Sequence, residues 1–184
     1  IEICSLLIDK NKDAFVIVDP VMADSGKLYA GFGPDFAEKM KILCKKADII
    51  TPNYTEACFL SGVEYSEVPT AAEINRCFDG IKAAGIKSAV ITGIRTSDGK
   101  IGTAYRNFKT GASYMTDHPF VDAMLHGGGD VFASVLCGMI MSGKTAEKAI
   151  SAADSFTYEC IKNTETAGQY GLNFEPLIKN LSEY

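Results

Sequence analysis

Apolar positions along the chain follow two alternating rhythms, short unbroken runs and longer stretches with helical spacing. Ala14-Phe15-Val16-Ile17-Val18 is a continuous apolar run that ends on Asp19-Pro20, the pattern of a strand buried on both faces of a parallel sheet. Phe36, Met40, Ile42 and Leu43 among charged neighbours predict a helix from about 34 to 45, and Asp48-Ile49-Ile50-Thr51 a second short strand. Thr70 and Glu73 have the spacing of a capping box, after which Ile74, Cys77, Phe78 and Ile81 recur at helical intervals until Gly85 supplies a left-handed stop. Ser88 to Thr92 is a third buried strand. Segments 102–106 and 112–116, joined by the turn-forming Asn107 to Gly111, predict a hairpin.

From Val131 to Met141 the chain is apolar almost all round, which predicts a helix buried in the interior. A second helix starts near Thr145, with Ala146, Ala149, Ile150, Ala153, Phe156 and Cys160 on one face, and a last one covers about Glu175 to Leu181. Alternating strands and helices predict a three-layer α/β/α domain, Rossmann-like, its sheet mostly parallel with an antiparallel edge hairpin. The chain opens on Ile1 inside a helical pattern (Ile3, Leu6, Leu7) that has no cap, so residues 1–184 are expected to form a single domain truncated at its N-terminus.

Composition narrows the function classes. The 184 residues are 47% hydrophobic, enough for a sizeable core, and the formal net charge of -5 argues against nonspecific attraction to nucleic acid or to an anionic membrane. An anionic ligand must therefore be held by local geometry. No run of about 18 apolar residues suggests a membrane span, and the expected location is cytoplasmic. The six cysteines at 4, 44, 58, 77, 137 and 160 contain no Cys-x-x-Cys pair and are read as reduced, mostly buried small side chains; His118 and His126 are too isolated for a His-based metal site and are expected to be structural.

Three constellations carry chemistry. His126-Gly127-Gly128-Gly129-Asp130 stands directly before the apolar helix, where glycines let consecutive N–H groups turn toward one point and the helix end adds partial positive charge. Asp130 would repel a phosphate there, unless its carboxylate takes a proton from an attacking hydroxyl. The plain alternative is a flexible turn with Asp130 as a cap. Asp19 and Asp24 lie just past a strand's carboxyl end, where open α/β sheets gather ligands, although Asp and Pro are also ordinary turn residues. Asn53 and Glu56 follow the next strand with capping-box spacing; Glu56 can also face a hydrated Mg²⁺ while Asn53 contacts phosphate oxygens.

Asp-Pro-Val-Met-x-Asp-x-Gly-Lys-Leu-Tyr (19–29), Ala-Asp-Ile-Ile-Thr-Pro-Asn-x-x-Glu (47–56), Val-Ile-Thr-Gly (90–93) and Gly-Gly-Gly-Asp-Val-Phe-Ala-Ser (127–134) together resemble the pyridoxal and pyridoxamine kinases of the ribokinase superfamily, in order and in spacing. The likeness runs from about Phe15 to the end. It implies ATP-dependent phosphorylation of the 5′-hydroxymethyl group of a vitamin B6 vitamer, pyridoxal, pyridoxamine or pyridoxine. Asp130 would be the general base, and Gly127, Gly128 and Gly129 would form the anion hole for the γ-phosphoryl group. Asp19, Asn53 and Glu56 would organise Mg²⁺ and phosphate, Asp19 and Glu56 as the metal-facing carboxylates. Asp24 would lie near the phosphates, Thr51 and Thr92 would contact the nucleotide, and Lys27 to Tyr29 would close over the site. A monovalent cation is left open, and the family implies a homodimer for the full-length protein.

One departure is Gly128, where the family has Thr; the hole works through backbone amides, so looser phosphate capture is expected rather than its loss. The absent N-terminal third supplies much of the vitamin's grip in that family, so this polypeptide alone is expected to be poorly active. Two other readings stay open, a hydroxymethylpyrimidine kinase of the same superfamily and a noncatalytic nucleotide-binding protein. All three require the glycine turn and the strand-end carboxylates to serve one pocket.

Overall fold

In the computed structural model, residues 1–122, 125–164 and 171–184 are described, and the chain divides into two compact units, Ile1–Asp117 and His118–Tyr184. In the first unit, helix α1 (Glu2–Lys10) starts without a side-chain cap and leads into β1 (Ile17–Val18), shorter than the apolar run around it because only these residues pair with a neighbour. A small hairpin of β2 (Ala23–Asp24) and β3 (Lys27–Leu28) precedes α2 (Pro34–Cys44), β4 (Ile49–Ile50) and α3 (Tyr54–Ser61). Then come α4 (Ala71–Ala83), β5 (Ser88–Arg95), β6 (Lys100–Asn107) and β7 (Ser113–Pro119). The five-stranded sheet has the order β1-β4-β5-β6-β7. The first three strands are parallel, registered by Ile17 to Ile49, Val18 to Ile50 and Ile50 to Ala89, and β6 turns back antiparallel to β5. This is the parallel sheet with an antiparallel edge that the hydrophobic pattern predicts.

Local chemistry explains the helix ends. Asn53 caps α3 and Thr70 caps α4, each by a complete capping box with Glu56 and Glu73. Gly62 ends α3 in the left-handed region (φ 77°), and Gly85 (φ 85°) follows α4 as the sequence predicts. The core collects side chains from both sheet faces, with Val18, Ile50, Ile91 and Ile94 meeting Met40, Leu43, Leu60, Phe78 and Ile81 from the helices. Fully burying each such aliphatic side chain stabilises by roughly 1.5–3 kcal/mol before entropy is counted. The β6–β7 turn closes as expected: Asn107 Oδ1 accepts from the N–H of Lys109 and of Thr110, both at 3.0 Å.

The β2–β3 hairpin has no forerunner in the periodicity. Its two central residues, Ser25 (φ 50°) and Gly26 (φ 78°), both have positive φ, which is the type I′ geometry that matches strand twist. The N–H of Gly26 donates to Thr55 Oγ1 (3.1 Å), and a Cβ placed on Gly26 would fall 2.7 Å from Cδ1 of Tyr65.

In the second unit, α5 (Gly128–Met141) and α6 (Ala146–Lys162) pack against each other, α6 being capped by Thr145, whose hydroxyl accepts from the N–H of Lys148. Alanines 149, 152 and 153 on α6 allow close approach to Phe132, Val135, Leu136 and Met139 on α5. The expectation that α5 is wholly buried is corrected here: Met141 is 73% exposed, Cys137 and Ser134 are exposed, and only one face of the helix finds apolar partners. The final helix spans Glu175–Glu183 and is 3-10, not α. His118 does have the structural role expected of it, stacked on Tyr158 (4.3 Å between centroids) with Nε2 2.8 Å from Asp154 Oδ2. Among the described residues no helix is long and apolar enough to cross a membrane.

Replacing Gly26 by Ala forces a Cβ into the left-handed region and onto the Tyr65 ring, so the urea midpoint should fall by the equivalent of about 1–2 kcal/mol. An unchanged midpoint would show that the hairpin is not held in this turn.

Candidate active site

The carboxyl ends of β1, β4 and β5 carry the predicted residues of the first unit. Just past β1, Asp19 accepts from the Thr51 hydroxyl at 3.3 Å, so the ends of β1 and β4 are bridged by a polar contact. Past β4, Asn53 pairs as an isolated parallel bridge with Thr92, and the N–H of Thr92 donates to Pro52 O at 3.0 Å. Asp19, Thr51, Asn53 and Thr92 therefore line one strand-end row. Asn53 has little side-chain capacity to spare: its Oδ1 caps the helix through the N–H of Glu56 (2.9 Å), and its Nδ2 donates to Ala23 O (2.8 Å).

Glu56 holds this row together. It is 3% exposed, with Oε1 accepting from the N–H of Met22 (2.9 Å) and Ala23 (3.4 Å), while Oε2 accepts from the N–H of Asn53 (2.9 Å). Burial pushes its carboxyl from 4.5 up to about 7, against the lowering effect of those N–H donors, and the nearby Asp19 carboxylate pushes the same way as burial. Asp24 is exposed and accepts from the N–H of Ser25 (2.7 Å). Tyr29 is pushed above the ordinary tyrosine value, first by burial and then by Asp24, Glu56 and Asp19, so the phenol and the three acids share one electrostatic environment. Lys27 is exposed, opposite Asp24 in the hairpin register.

Such a set suits a small hard cation. Among the described residues no group of three or more His, Cys, Asp or Glu could hold a metal by itself. Mg²⁺ usually keeps several waters and takes one or two carboxylates together with substrate phosphates, and Asp19 with Glu56 fits that donor set. The oxygens of Glu56 already accept backbone N–H groups, which favours contact through water, whereas Asp19 is only partly buried.

The second unit carries the glycine turn. Gly127 takes the left-handed conformation (φ 93°) as the N-cap of α5, and the first bond closed inside the helix runs from the N–H of Val131 to Gly127 O (3.0 Å). The preceding N–H groups, those of Gly128, Gly129 and Asp130, emerge at the helix end, where a partial positive charge accumulates. Asp130 is exposed in this first turn and does not point into the interior. Gly128 has an ordinary φ, and a Cβ built on it meets nothing within 4 Å, so the backbone there does not demand glycine.

Sequence reasoning missed three features. Thr55 and Tyr65 fix the β2–β3 turn; nothing short of a tertiary contact identifies them. The third is a cleft of about 730 Å³ in the second unit, lined by Asp130, Val131 and Ser134 of α5, Phe156 of α6, and Phe174 and Ile178 at the start of and within the 3-10 helix. The all-round apolar character of α5 was a usable signal for it, because such a helix leaves a face to be filled.

With the geometry described, similarity to known proteins can be stated. The sequence profile of the family described as phosphomethylpyrimidine kinase matches residues 1–174. The pyridoxine kinase of Bacillus subtilis is 29% identical over 175 residues, covering 92% of this chain and 62% of that protein. The structure of pyridoxal kinase from Entamoeba histolytica superposes with a TM-score of 0.83 at 27% identity, over 96% of this chain and 62% of that one. Pyridoxal kinase from Leishmania donovani in complex with ADP and pyridoxamine superposes with a TM-score of 0.80 at 25% identity, over 97% and 62%. The chain thus spans about half to two thirds of the length of such relatives, and its fold is the ribokinase-like α/β arrangement.

The raised carboxyl of Glu56 gives a pH signature. Between 4.5 and about 7 the folded chain keeps a proton that the unfolded chain releases, so stability from this group is full below that window and is lost as pH rises through it. Relative to Glu56→Gln, the wild type should lose up to about 1.4 kcal/mol per pH unit across this range, read from urea midpoints. Parallel pH profiles of the two proteins would refute the assignment.

Proposed function

Because the chain belongs to the phosphomethylpyrimidine kinase family, we propose that it is the catalytic part of a kinase that transfers the γ-phosphoryl group of ATP to the 5′-hydroxymethyl group of a vitamin B6 vitamer. The observation that carries this reading is Asp130, an exposed carboxylate in the first turn of a helix whose N-cap glycine lies at φ 93°. A carboxylate repels the anion that such a helix end attracts, and the arrangement is productive when the acid accepts a proton from the attacking hydroxyl.

In this mechanism Asp130 takes the hydroxymethyl proton, and the N–H groups of the 127–129 turn receive the oxygens of the transferred group. Asp19, and Glu56 through water, would hold Mg²⁺, which would supply charge neutralisation to the phosphates. Asn53 and Asp24 stand beside the phosphates, Thr51 and Thr92 position the nucleotide, and the Lys27 to Tyr29 segment shields the reacting atoms from water. ADP and a B6 vitamer in the Leishmania enzyme support the choice of nucleotide and substrate. The family description itself keeps hydroxymethylpyrimidine as the second reading.

Two measurements test the proposal. With the full-length protein, a panel of pyridoxal, pyridoxamine, pyridoxine and hydroxymethylpyrimidine with MgATP should give its highest kcat/KM with a B6 vitamer. Faster hydroxymethylpyrimidine turnover would move the assignment, and MgATP binding by calorimetry with no turnover would leave a nucleotide-binding protein. In the full-length protein, Asp130→Asn should retain MgATP affinity and lose about two to four orders of magnitude in kcat, the size of a general-base contribution. Retained turnover would remove Asp130 from the chemistry.

A further inference from the structure

Cys58 on α3 and Cys77 on α4 bring their sulfurs to 4.0 Å, and both residues are buried, at 3% and 0% exposure. The helices that carry them are unusually close. One turn beyond each cysteine, Ser61 of α3 faces Gly80 of α4, where a Cβ on the glycine would lie 2.7 Å from both Cβ and the carbonyl oxygen of Ser61. Gly80 thus lets the two backbones touch, and the thiols sit on the same contact face three residues earlier in each helix.

The thiols are also electronically unequal. The hydrogen bond between them raises Cys58 above the ordinary thiol value and lowers Cys77 below it, despite the opposing effect of burial on Cys77. The Tyr54 hydroxyl, buried close to Cys58 without a hydrogen-bond partner of good geometry, adds a polar group to the pocket.

We propose that Cys58 and Cys77 form a reactive dithiol, a modification site that a peroxide converts to an intramolecular disulfide joining α3 to α4. The Cys77 thiolate attacks one peroxide oxygen, forming an S–O bond as the O–O bond breaks and hydroxide leaves. The Cys58 sulfur then attacks the Cys77 sulfur, forming the S–S bond as the S–O bond breaks; hydroxide departs and takes the Cys58 proton as water. In sum two thiols lose two electrons and one hydrogen peroxide becomes two waters. The sulfurs must close from 4.0 Å to about 2.05 Å, the length of an S–S bond. The product would fasten to α4 the helix that begins at Asn53 and carries Glu56.

The test uses the chain with Cys4→Ser and Cys137→Ser, which removes the exposed thiols. After exposure to hydrogen peroxide, remaining thiols are blocked with N-ethylmaleimide in denaturant and the protein is digested with trypsin. Cleavage after Arg76 separates the two cysteines, so the expected product is peptide 47–76 linked to peptide 77–82, two hydrogens lighter than their sum and released by dithiothreitol. Both residues recovered as maleimide adducts, either one recovered as sulfinic acid, or a bond to Cys44 or Cys160 instead would overturn the proposal. The readout uses the native pair, so it does not depend on whether a Cys58 or Cys77 variant folds.

Discussion

The candidate active site of the first unit depends on one buried carboxyl group. Glu56 takes N–H groups from the segment after β1 and from the residue that opens α3 after β4, so two strand-end loops are tied to a single side chain. Without it Met22 and Asn53 would each leave a buried donor unsatisfied, at a cost of about 1–3 kcal/mol apiece. The same side chain is half of a capping box, which means that helix initiation and loop position are one event. A carboxyl so enclosed resists ionisation.

Much of this was legible from the sequence, and the legible parts share a cause. Capping boxes at 53–56 and 70–73, the Gly85 stop after α4 and the Asn107 turn are encoded within a few residues, and each is found where the spacing puts it. The parallel character of the first strands also followed, since parallel strands buried on both faces leave continuous apolar runs. Strand length did not follow: Ala14 to Val16 are apolar but only Ile17 and Val18 enter the ladder, because pairing depends on a partner strand far away in sequence.

The β2–β3 hairpin was illegible for the same reason. Ser25-Gly26 is a modest turn signal, and the turn is selected by Thr55 and Tyr65, which lie some thirty to forty residues further on. For α5 the error was one of inference. An apolar composition all round predicts a covered surface, whereas within this chain the helix covers only the face it turns toward α6. Of the candidate site, the sequence supplied the residues and the structure supplied their company: Thr92 beside Asn53, and Tyr29 under the influence of three acids.

The open space around Gly128 has an implication for how such a loop changes over time. If the useful groups at a turn are main-chain amides, the side chain there is free to drift among small residues while the direction of the amides stays put. Substitution at that position then tunes how quickly the loop settles, leaving what it can grasp unchanged, and two related proteins can differ there without differing in chemistry. Gly127, confined by its positive φ, has no such latitude.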